Sequence, residues 1–102
     1  MKLAVGQTYN KTFKISADMI EKFAKVTGDF NPLHLDKDYA EKTIFGKPIA
    51  HGFLIGSFIS TVLGNEYPGA GTIYLSQSMK FLKPVHVNDK IKVCVELLGI
   101  DS

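Results

Sequence analysis

Asp29, Asn31 and His34 crowd into one short stretch of this sequence, and they bring the residue types that acid–base chemistry needs. A carboxylate and an imidazole held this close can share a water molecule, one taking a proton while the other donates. Asn31 adds a neutral donor and acceptor able to orient either partner. The same residues are also ordinary turn formers. Pro32 keeps Asn31 out of the helical region, Asp and Asn bend the chain, and His34 can simply pack. A second feature is His51-Gly52, directly ahead of an apolar run. Free N–H groups at a helix start, with the positive dipole end behind them, stabilise a developing negative charge. Gly52 has no side chain, so a ligand oxygen can approach its N–H closely, as an oxyanion site requires. A helix beginning tightly against a sheet would want the same glycine.

The elements that must position these groups are readable in outline. Residues 9–15 alternate weakly and end at Ser16, which predicts a first strand followed by a helix N-cap. Asp18 falls in the first turn, where the dipole favours it, and Met19, Ile20, Phe23, Ala24 and Val26 share one broad helical face. Gly28 is the expected left-handed cap. Residues 36–42 predict a short helix, and 44–50 an irregular link through Gly46 and Pro48. Residues 52–63 (GFLIGSFISTVL) form the second main helix, apolar nearly all round, and a helix of that kind has to be surrounded. Residues 72–81 and 90–100 are β-rich, joined through Pro84 and the turn at Asn88-Asp89. The fold class expected is α+β, an antiparallel sheet wrapped around one buried helix. Three strands cover such a helix poorly, so either further chain or a partner subunit must complete the cover.

Composition bounds the rest. With 102 residues, 45 % apolar and 22 % charged, the chain is expected to be a single domain over residues 1–102. A net charge of +2 suits an anionic ligand and falls far short of a nucleic-acid footprint, so no nucleic-acid partner is expected. The single cysteine, Cys94, allows neither an internal disulfide nor a cysteine metal cluster. It reads as a buried strand residue, and the reducing cytoplasm is the expected compartment. The start, Met1-Lys2-Leu3-Ala4-Val5, lacks the long apolar stretch of a secretory signal. Residues 52–63 are too few to span a bilayer, which takes roughly 20, so no membrane partner is expected.

The motifs together resemble a family. VTGDFNPLHLD over residues 26–36, followed by Tyr39-Ala40, closely resembles the hydratase motif of the MaoC-like (R)-specific enoyl-CoA hydratases. The resemblance continues through FGKPIAHG at 45–52, SQSMKF at 76–81 and PVHVND at 84–89. It implies a hot-dog fold, a long central helix wrapped by an antiparallel sheet and dimerised edge to edge. It implies that Asp29 and His34 are the catalytic pair, with Asn31 and Ser60 supporting, and that the Gly52 amide holds the thioester oxygen. The substrate implied is an acyl-CoA thioester, hydrated reversibly from the trans-2-enoyl to the (R)-3-hydroxyacyl form, with no metal or redox cofactor. Two departures stand out. Asn88 replaces the family's usual Gly at a turn, and the chain stops before the last strands that family members carry. A hot-dog thioesterase is the first rival, weakened because residues 52–63 hold no Asp or Glu. A non-catalytic acyl-thioester-binding module is the second, weakened because both Asp29 and His34 are present. Lys47, Lys80, Lys83, Lys90 and His86 are expected on a solvated surface.

Overall fold

The alternating residues near the N-terminus form an edge of a two-stranded antiparallel sheet in the computed structural model, which describes residues 2–101; Met1 and Ser102, the outermost positions of the expected domain, lie outside the described residues. Strand β1 (Thr8–Lys14) pairs with β2 (Lys90–Glu96) in a register running from Thr8 opposite Glu96 to Lys14 opposite Lys90. Side chains alternate across a strand, so Tyr9, Lys11 and Phe13 share a face with Val95, Val93 and Ile91. That face meets the long helix α4 (Gly52–Asn65), where Phe13 packs on Phe58 with ring centres 4.6 Å apart.

Helix α1 (Ala17–Thr27) starts and stops as its sequence predicts. The Ser16 hydroxyl accepts from the Met19 N–H, and Gly28 closes the helix at a φ of 79°, a backbone conformation that costs a glycine little. Ile20 and Ala24 are buried. Val26 is not: it is 85 % exposed, because two residues beyond Ala24 the helix has turned by roughly 200°. Two short helices follow, α2 (Pro32–Leu35), capped by Asn31, and α3 (Lys37–Glu41), capped by Asp36. Ile15, Ile20, Ala50 and Leu54 form the core, with Phe23, Phe58, Val85 and Ile91 packed around them.

Three expectations need correction. Cys94 is exposed, since it pairs with Asn10 on the outer face of the sheet while Val93 and Val95 point in. Residues 72–81 form no strand: from 73 to 84 the backbone enters no backbone hydrogen bond among the described residues. The sheet therefore has two strands, with a lone bridge between Ile49 and His86, and not three. Helix α4 is consequently only part covered. Leu54 and Val62 are buried, while Phe53 is 65 % exposed. Its apolar composition still marks it as the element around which the sheet curls. Asn88 adopts a φ of 74°, a left-handed conformation that asparagine tolerates, so the turn survives the missing glycine.

Candidate active site

The loop that carries Asp29 and His34 is built by side chains bonding the backbone two residues on. The Thr27 hydroxyl accepts from Asp29 N–H at 3.2 Å, the Asp29 carboxylate from Asn31 N–H at 3.3 Å, and the Asn31 carbonyl from Leu33 N–H at 3.0 Å. This relay turns the chain out of α1 and straight into α2, so residues five apart in sequence face one another. Asn31 works as a helix cap and bends the loop. It does not line the cavity described next.

His34 is fixed from the far side. Its Nδ1 lies 2.7 Å from the Ile49 carbonyl oxygen, and the Ile49 N–H bonds back to Leu33 O at 3.3 Å. A carbonyl can only accept, so Nδ1 carries the hydrogen and Nε2 keeps a bare lone pair. Asp29, His34 and His51 each present one donor atom within 4.8 Å of the others. A water bonded to both an Asp29 oxygen and a His34 nitrogen fits that span, at about 2.8 Å to each.

These groups open into a cavity of about 440 Å³, walled by Phe45, Ile49, Ile55, Phe81, Leu82 and Val85, with Lys83 also lining it. Gly52 lines the same cavity. It is the first residue of α4, and its N–H makes no hydrogen bond among the described residues. A Cβ at this position would come 2.9 Å from the Phe81 ring, so glycine keeps the wall tight. The chemistry on offer is a polar corner able to seat a water, a free helix-start N–H, and an apolar wall for a chain-like substrate.

Of the expected residues, Asp29, His34 and Gly52 meet in this cavity. Ser60 does not. It lines a separate groove with Ser57, Gly56 and Met79, and the reason is helical geometry. Eight residues past Gly52 means about 12 Å along the axis and a rotation some 80° away from it. The His51 side chain and the Ile49 carbonyl belong to the site and were not singled out from sequence. Only the adjacency of His51 to Gly52 hinted at the former. Lys83 is exposed, as expected, and also borders the cavity.

The MaoC like domain family matches residues 2–102. This chain belongs to the MaoC-like family. An (R)-specific enoyl-CoA hydratase of Aeromonas caviae is 43 % identical over 98 residues, covering 96 % of this chain and 73 % of that protein. The enzyme of the same name from Rhodospirillum rubrum is 43 % identical over 95 residues, covering 93 % of this chain and 66 % of its own length. A solved (R)-hydratase from A. caviae superposes with a TM-score of 0.93 at 42 % identity, over 97 % of this chain and 75 % of that one. The MaoC-like chain thus spans two thirds to three quarters of these relatives, and its fold is the α+β hot-dog of the family.

Proposed function

We propose that this MaoC-like chain is an (R)-specific enoyl-CoA hydratase, adding water reversibly to a trans-2-enoyl-CoA to give the (R)-3-hydroxyacyl-CoA. The observation that carries this reading is one cavity that brings together Asp29 and His34, with ligand atoms within 4.8 Å of each other, a free Gly52 N–H and an apolar wall. Its relatives from A. caviae and R. rubrum, named for that reaction, support it.

The steps balance on this chain's own residues. The Asp29 carboxylate accepts one hydrogen of the bound water and aims its oxygen at C3. His34 Nε2 takes the other proton as the new C–O bond forms. The π electrons move onto the thioester oxygen, where the Gly52 N–H receives the developing charge. The protonated His34 then returns its proton to C2, the thioester carbonyl reforms, and both residues regain their starting states. The thioester itself is the electron sink, so no metal or redox cofactor is required.

We take the working form to be a homo-oligomer in which a second copy covers the exposed apolar face, and the compartment to be the cytoplasm. A single free Cys94 suits a reducing environment, and among the described residues no helix is long and apolar enough to cross a membrane. The deciding experiment offers crotonyl-CoA to the protein. Hydration removes the conjugated double bond while the thioester stays intact. Release of CoA thiol in step with enoyl loss would replace this reading with a thioesterase.

A further inference from the structure

His51 is the most deeply buried polar side chain near the site, at 2 % exposure, and the reaction above gives it no task. It occupies the N-cap position of α4, yet its side chain makes no capping bond there. Its Nε2 lies instead 3.1 Å from the backbone carbonyl of Asp29, 22 residues away. Since that carbonyl can only accept, Nε2 bears the hydrogen and Nδ1 is left bare. Nδ1 is buried and has no hydrogen-bond partner among the described residues. The ring face lies against His34, with centres 3.9 Å apart and planes 31° apart, and Phe23 packs nearby at 4.9 Å.

From these contacts we infer that His51 is a positioning residue for the hydration, one imidazole that holds the Asp29 peptide by its edge and the His34 ring by its face. The inference rests on the hydratase reading for its kinetic consequence. Asp29 itself is exposed, and its side chain and N–H bond only within the loop, whose other ties run from Leu33 and His34 to Ile49. The bond to His51 adds a tie at Asp29 itself, registering that peptide against the start of α4 and so against the Gly52 N–H next in sequence. The stacked face also keeps the His34 ring from tilting about its Ile49 bond. It offers a π surface to the imidazolium that His34 becomes in mid-reaction. Carboxylate, base and oxyanion donor are thus held to one geometry by a group that takes no part in the proton transfers.

Two variants separate edge from face. His51→Phe keeps an aromatic face but has no donor for Asp29 O, whereas His51→Gln places a donor near the old Nε2 but removes the face. With crotonyl-CoA, both variants are expected to fold and to keep KM little changed, while kcat falls by up to about 100-fold, as for a misplacement of about 1 Å. His51→Ala, which lacks both, should fall furthest. Wild-type kcat in folded His51→Phe and His51→Gln would overturn the assignment. So would losses of kcat that merely track loss of folded protein. An arm independent of turnover follows the ¹⁵N signals of the His34 ring and the amide signals of residues 29–31. These should shift in His51→Phe, and unchanged signals would overturn the positioning role. If the wild-type protein hydrates nothing, the hydratase reading fails and the spectra alone decide the role of His51.

Discussion

Asp29 and His34 differ in how firmly they are held, and this shapes what their replacement should do. Asp29→Asn retains an oxygen for the Asn31 N–H, so the loop relay should persist while the carboxylate is lost. His34→Ala removes a half-buried ring but leaves the helix caps on either side in place. Each change should lower kcat by about 100- to 10,000-fold, the usual worth of a positioned acid or base, with the thermal transition largely kept. Ser60→Ala, in its separate groove, should leave kcat near wild type. Steady-state kinetics on 2-enoyl-CoA beside a melting curve checks all three, and a fully active Asp29 or His34 variant would overturn the mechanism. The pair was legible in sequence because it lies in one loop. The His51 contacts were not, because their partners are 22 and 17 residues distant and no periodicity links them.

Among the elements, β1 and the end of α4 are tied by Lys11 and Glu66, whose side chains form an ion pair. The Lys11 hydrogen bond, and then its charge, hold the Glu66 carboxyl below its ordinary value of 4.5. A carboxyl lowered in the folded state adds stability that is present above its ordinary value and is lost as pH falls through the lowered one. Glu66→Gln should therefore melt below wild type at neutral pH, with the gap closing in acid and narrowing in high salt. Both groups are partly exposed, so the effect should be small. A gap that stayed constant down to acid pH would contradict this account. The caps of α1, the start of α4 and β1 were readable in advance because each depends on neighbours in sequence. Residues 72–81 were not, because their β-rich composition states a preference, while a strand exists only where a partner backbone accepts it.

At the scale of the whole molecule, the chain is extended. Its radius of gyration is 15.9 Å, against about 13 Å for a compact domain of this length, and its long axis reaches 52 Å. Beyond α4, Ile73, Leu75 and Leu82 stand 80 % or more exposed, and within it Phe53 is 65 % exposed. Such a surface is larger than a lone chain keeps comfortably in water, and an unpaired extended segment is a template for another backbone. Light scattering at micromolar concentration should find a dimer or larger assembly. A stable, folded monomer would contradict it. A sheet around one apolar helix was legible from the β-rich runs that flank it, the hot-dog class from the resemblance, and incomplete cover from the small number of strands; that residues 72–81 form no strand was not.

The loop between Gly28 and His34 has a consequence for how such a protein can change over time. Its turns are sustained by the side chains of Thr27, Asp29 and Asn31 bonding backbone within the loop itself. Part of the cavity wall comes from Phe81 and Leu82, on a segment with no ladder to protect among the described residues. Reaction and selectivity are therefore inherited on separate stretches of chain. Substitutions at 81 and 82 can refit the enzyme to longer or bulkier acyl groups while the proton-transfer loop passes unaltered from one descendant to the next.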